Sequence, residues 1–275
     1  MKPKKYEELK FTDDFMFSKV LQNNPGLCKE ILELILDKKI NRISAPEKQK
    51  TIDITAVAKG VRFDIYVEDD RNTVYDVEMQ TANEGNLSKR SRYYQGMIDL
   101  NSIERGISYK ELKNSFIIFI CMFDPFQRGI VRYTFESMCQ EIPGLAMGSD
   151  AKTIFINPFG KTAGLSEGLK SFLAYLRGEV IKNSFAELLD DVVQHARRHD
   201  EWRLEYMTLL MRDQENIEKG IEQGIEQGET KKERYVVMSL LKKGLLSDDD
   251  IIEVAGITAE KLEEYRREFE NRSAE

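Results

Sequence analysis

From Phe116 to Phe123 the chain runs through eight apolar residues without interruption, Phe-Ile-Ile-Phe-Ile-Cys-Met-Phe. This is the longest such run, and it falls far short of the roughly 20 residues that a bilayer crossing needs. Rich in β-branched and aromatic residues, it reads as a buried strand beginning near Asn114. A membrane protein is thereby disfavoured. Hydrophobic residues at 41% and charged residues at 32% also exclude a disordered polar chain, so a packed core is expected. The charged start, Met-Lys-Pro-Lys-Lys-Tyr-Glu-Glu, leads into no apolar stretch of the kind a secretory signal carries, and a cytoplasmic location is expected.

Other strands show by alternation. Ile52, Ile54 and Ala56, then Phe63, Ile65 and Val67, then Tyr75, Val77 and Met79 form three period-2 sets, with a short polar turn, Glu68 to Asn72, between the second and third. Before them, Thr12–Gln22 and Pro25–Asp37 carry apolar residues at helical spacing, with Thr12 suited to an N-cap and Pro25 to a first turn. Ser88–Glu104 is again helical in pattern. Ile130–Phe135 and Thr153–Asn157 are expected to extend or decorate the sheet. From Ser184 to Met211 the pattern predicts one long helix. A repeat follows, Ile217-Glu-Lys-Gly, Ile221-Glu-Gln-Gly, Ile225-Glu-Gln-Gly, whose glycines each cost about 1 kcal/mol in a helix, so it reads as a weakly helical connector. Residues 230–270 read as two or three short helices broken at Gly244 and Gly256.

The chemistry concentrates at Asp64 and at Asp76-Val77-Glu78-Met79-Gln80. Asp76, Glu78 and Gln80 share one face of a strand, and pairing through the 68–72 turn would bring Asp64 beside Glu78. Two carboxylates on one face repel unless a cation lies between them, and a hard divalent ion is a suitable cation. The alternative is a solvated outer face of a hairpin. On the following helix Arg90, Tyr93, Tyr94 and Met97 occupy adjacent turns, so that Arg90 either meets a phosphate or is simply solvated.

These residues, Asp64, Glu78-x-Gln80 and Arg90-Ser-Arg-Tyr93-Tyr94, resemble the PD-(D/E)XK nuclease family transposases, also described as recombination-promoting nucleases. The resemblance extends to Phe11-Thr-Asp-Asp14-Phe-Met-Phe17-Ser-Lys19, the Tyr109 segment, Asp124-Pro-Phe126 and the Gly-Ile-Glu-Gln repeat. It implies an α/β restriction-endonuclease-like core of order α-β-β-β-α-β, the order read from the pattern, with a helical C-terminal extension. The expected domains are 1–165 for the nuclease-like part, 166–228 for a long helical segment ending in the repeat, and 229–275 for a small helical region.

The resemblance further implies Mg²⁺-dependent DNA cleavage, with Mn²⁺ as a substitute. Asp64, Glu78 and Gln80 become catalytic, and Asp64, Glu78 and Asp14 the metal ligands. Arg90, Tyr94 and Lys19 become DNA contacts. Gln80 stands where the motif has lysine; its amide can orient a water but supplies no charge. Asp14 has a second reading, as a charge complementing the helix dipole. The competing functional reading is a nuclease fold retained as a DNA-binding or protein-interaction module.

Charge is divided unevenly: 22 basic and 21 acidic residues through position 140, then 19 and 27, for an overall −7. A polyanion would prefer the first half. Three scattered cysteines, Cys28, Cys121 and Cys139, fit reduced thiols. Other motifs fail on inspection. Gly160-Lys161-Thr162 lacks the P-loop's first glycine, Phe155 standing in its place, so no nucleotide cofactor is expected. His195 and His199 lack the glutamate of a zinc-protease helix. The helix-turn-helix outline over 245–267 carries Asp248, Asp249 and Asp250, which repel phosphate. A homodimer through the C-terminal helices is expected from the Ile217, Ile221 and Ile225 stripe.

Overall fold

The computed structural model describes residues 3–48, 51–52, 60–180 and 184–273. Two helices open it, α1 (Asp14–Asn23) and α2 (Pro25–Leu36). Asp13, not Thr12, is the residue before α1, and it is held by Lys4 and by the Lys10 backbone N–H. Pro25 takes the first turn of α2 as expected, and Asp37 ends that helix in the left-handed conformation. Met16, Phe17, Val20, Leu27, Ile31 and Ile35 face inward from these helices.

The strands are β1 (Glu47–Lys48), β2 (Thr51–Ile52), β3 (Val61–Arg62), β4 (Ile65–Glu68), β5 (Val74–Gln80), β6 (Ser115–Cys121), β7 (Arg132–Phe135) and β8 (Ala151–Ile156). Six form one mixed sheet in the order β1-β4-β5-β6-β8-β7, while β2 and β3 pair separately. Ile54 and Ala56 lie outside the described residues. The set Phe63, Ile65, Val67 is not one strand: the chain leaves β3, bends at Phe63 and Asp64, and enters β4. The turn from β4 to β5 is built by Asp69, whose carboxylate accepts the N–H groups of Arg71 and Thr73, with Asn72 at φ 58°.

Helix α3 (Leu87–Ser102) joins β5 to β6, which run parallel, as do β6 and β8. A parallel centre of this kind is buried on both faces, and every residue from Val74 to Met79 is buried. Behind α3 a cluster of Phe63, Tyr66, Met97, Ile98, Phe119 and Phe155 fills the interior. Gly160 has a packing reason: a Cβ there would lie 2.5 Å from the Ile130 carbonyl carbon. Cys28 and Cys121 are free thiols whose pKa burial pushes up to about 12.

After α4 (Glu167–Leu176) the expected single helix is two, α5 (Ser184–Arg197) and α6 (Asp200–Lys243). The chain divides into two compact units within α6, between Tyr206 and Met207. In the second unit, the Ile-Glu-Gln-Gly repeat is a continuous part of α6 rather than a weakly helical connector. Glu, Gln, Lys and Ile favour the helix enough to carry three glycines. Val237 of α6 packs with Ile251, Ile257, Leu262 and Tyr265 of α7 (Asp248–Ala255) and α8 (Ala259–Ser273). Gly256 ends α7 at φ 65°, and Ser247 with Asp250 forms its capping box. No helix among the described residues is long and apolar enough to cross a membrane.

Candidate active site

Strand pairing brings the site together. β4 and β5 are antiparallel with Ile65 opposite Val77, which sets Asp64 against Glu78. The two are joined reciprocally: the Asp64 backbone N–H donates to Glu78 Oε1 at 3.0 Å, and the Met79 N–H donates to Asp64 Oδ2 at 3.2 Å. The solvated-face alternative is overturned, because Glu78 is 1% exposed and Asp76 fully buried. Covering of both faces of β5 removes that polar row from water.

Arg90, in the first turn and a half of α3, reaches the strand. Its Nη2 donates to Glu78 Oε2 at 2.6 Å and its Nη1 to Gln80 Oε1 at 3.1 Å. The guanidinium lies 5.2 Å from the Tyr94 ring centre and 5.4 Å from that of Phe119. Tyr94 is itself set by Phe63, edge-to-face at 5.1 Å.

Burial decides the protonation of this cluster. Asp64 is pushed up to about 8 by burial and by the neighbouring Glu78 and Asp14 charges, against the opposing pull of the Met79 N–H and Arg90. Glu78 is raised by burial, although the Asp64 N–H and Arg90 work to lower it. Neither oxygen of Asp76 has a donor facing it. Burial, then the Glu78 and Asp64 charges, raise its pKa well above the ordinary range, which favours the neutral acid. Asp76 shares this face but was not among the expected site residues; its signal was the two-residue spacing from Glu78.

The other expected residues are distributed unevenly. Asp14 is exposed at the start of α1, and its charge is felt at Asp64. Lys19 is 8% exposed, with its ammonium ion-paired to Glu205 and lying over the Phe15 and Trp202 rings. It is a buried, ion-paired cation in this structure. Asp124 organises its own loop, accepting from the N–H groups of Phe126, Gln127 and Gly129 and from the Tyr133 hydroxyl. A cavity of about 570 Å³ is lined by Lys10, Tyr175, Arg177, Asp190 and Arg197 among others. None of Asp64, Asp76, Glu78, Gln80 or Arg90 lines it.

No cage of three or more His, Cys, Asp or Glu side chains is found among the described residues. The donor set nevertheless fits a hard divalent ion of the kind that takes one or two carboxylates and completes its shell with water and phosphate. Asp64 and Glu78 supply those carboxylates, and beside them Asp76 keeps two buried oxygens without a hydrogen-bond partner.

A mixed sheet whose adjoining strands carry buried acidic side chains, flanked by helices, defines a PD-(D/E)XK nuclease-like fold. Residues 11–138 match the family model described as PD-(D/E)XK nuclease family transposase, and over that stretch the chain is similar to this family. Nucleases of this fold generally use divalent metals. No curated protein and no solved structure matches the chain.

Proposed function

We propose that the protein is a metal-dependent DNA endonuclease that hydrolyses phosphodiesters, with Mg²⁺ as its ion and Mn²⁺ as a substitute. The observation that supports this reading is the reciprocal Asp64–Glu78 junction, which holds two carboxylates side by side in a buried setting. When bound there, a divalent ion would polarise the phosphate and lower the pKa of an attacking water. Asp64 and Glu78 hold the ion, with Asp14 approaching from α1. Gln80 and Arg90 line the edge of the site, and Tyr94 supports the guanidinium. Lys19, committed to Glu205, is left out of the DNA contact.

The test is nicking of supercoiled plasmid by the full chain in Mg²⁺, Mn²⁺ or EDTA. Glu78→Gln should lower nicking on the order of 100-fold or more, in line with loss of a metal ligand or charge stabiliser. Undiminished nicking by the pure variant would remove Glu78 from the reaction.

One observation favours a second reading, a nuclease fold used only to bind DNA or protein. Arg90 already occupies Glu78 Oε2, so the site is electrostatically closed without an ion. Wild-type protein that binds DNA but never nicks would establish that reading. Within the same proposal, homodimerisation through the second unit rests on Ile217, Ile221 and Ile225, which are 57–60% exposed on α6. Light scattering of the full chain and of Ile221→Glu tests it; a monomer in both cases rejects the dimer.

A further inference from the structure

Position 80 carries glutamine, which has no charge to set against the neighbouring carboxylates. The only cation hydrogen-bonded to Glu78 among the described residues comes from another element, α3. From this geometry we infer that Arg90 is the working cation of the site and that Gln80 is a positioning residue which aims it. The inference rests on the nuclease reading above and assigns within it the role that a strand lysine would have.

Four features carry it. First, Gln80 spends its amide oxygen on Arg90 Nη1, at 3.1 Å. Turning the amide over would set its NH₂ against a guanidinium N–H, so the hydrogen bond fixes the oxygen toward the arginine. Second, Arg90 is held flat by the Tyr94 and Phe119 rings, an arrangement that suits a delocalised planar cation and not an ammonium. Third, the guanidinium has donors unspent: Nη1 and Nη2 carry two N–H groups each, and among the described residues each makes one bond. A planar fork with spare N–H groups matches the oxygens of a phosphodiester. Fourth, the side chain is 26% exposed, so one edge remains open to an arriving backbone.

These features give Arg90 opposite effects on two ligands. Its positive charge sits on the carboxylate that a divalent ion must share, and there it opposes the ion. Toward an anionic substrate the same charge is attractive. Removing Arg90 should therefore tighten metal binding while slowing cleavage. A side chain that merely supported the fold would weaken both.

The experiment uses the full chain and Mn²⁺ as the probe. Mn²⁺ affinity is measured by titration and electron paramagnetic resonance, and plasmid nicking at saturating Mn²⁺. Arg90→Met is expected to bind Mn²⁺ at least ~10-fold more tightly and to nick at least ~100-fold more slowly. Adding Gln80→Lys to Arg90→Met should return nicking to within ~10-fold of wild type, because a cation is restored beside Glu78. Gln80→Lys alone, with Arg90 retained, should weaken Mn²⁺ binding by crowding two cations together.

Unchanged or weaker Mn²⁺ binding by Arg90→Met overturns the inference. So does a double variant that binds Mn²⁺ as wild type does yet nicks no better than Arg90→Met. If Arg90→Met fails to fold, the double variant, which keeps one cation in the site, decides alone. If the wild type binds Mn²⁺ through Glu78, as shown by loss in Glu78→Gln, but never nicks, the nuclease reading fails and the affinities alone judge Arg90. Absence of Mn²⁺ binding in wild type and Arg90→Met overturns both.

Discussion

Replacing Asp76 by asparagine tests whether the buried carboxyl cluster stores protons. In the absence of a divalent ion, burial and mutual repulsion raise Asp64 to about 8 and Asp76 well above its ordinary range. The unfolded chain would release these protons near pH 4. Between the ordinary value of 3.8 and about 8, the folded protein therefore binds more protons than the unfolded chain. Stability contributed by the cluster is fully present below pH ~4 and is lost as pH rises through that window. One excess proton costs about 1.4 kcal/mol for each pH unit, so Asp64 alone can remove on the order of a few kcal/mol between pH 5 and pH 8. Asp76→Asn deletes one titrating group and one source of repulsion on Asp64, and its amide can still donate to Glu78. The variant should be close to wild type near pH 4 and more stable at pH 8, with a shallower fall between. Urea midpoints in EDTA, followed by the fluorescence of Trp202, the single tryptophan of the chain and a part of the first unit, read this directly. Mg²⁺ should flatten the wild-type profile, because the ion replaces the protons. Parallel wild-type and variant profiles would show that Asp76 holds no proton and would refute the argument.

Three further outcomes follow from packing. Phe119→Ala empties a fully buried site stacked on Phe155 at 5.3 Å and beneath Arg90; a loss of about 3–5 kcal/mol in urea denaturation is expected. Asp124→Ala strips the acceptor from four donors, and a loss of about 1–3 kcal/mol should appear without a change in Mn²⁺ affinity. Gly160→Ala forces a Cβ against the Ile130 backbone, and thermal unfolding should fall by several degrees, as overpacking of about 1–3 kcal/mol implies.

The parts of the fold and site that were legible in the chain were those set by local geometry. The period-2 rhythm through Tyr75, Val77 and Met79, with a short polar turn before it, was enough to set Asp64 beside Glu78. Eight apolar residues marked β6, and Pro25 marked the start of α2. Long-range packing was not legible. Alternation distinguishes two faces of a strand but not whether water reaches them, and the parallel neighbours of β5 made the polar face a buried one. For the same reason Asp76 looked like a solvated residue. The burial of Lys19 against Glu205 was not legible either, because the two lie 186 positions apart. In the repeat, the glycines were weighted above the helix formers between them.

The two halves of the candidate site are mounted differently. Glu78 and Asp76 hang from β5, which is hydrogen-bonded to β4 on one side and β6 on the other. Amides of such a strand exchange with solvent only when the whole domain opens. Arg90 sits near the start of α3, behind Asn86, whose side chain makes no capping bond. A helix end without its cap frays at far smaller cost. The carboxylates are therefore expected to persist as long as the fold does, whereas the cation is expected to loosen whenever the first turn of α3 opens. Hydrogen exchange should show this as slow amides across 75–79 beside fast ones at 88–90, which would give the site a built-in way to vary its charge without unfolding.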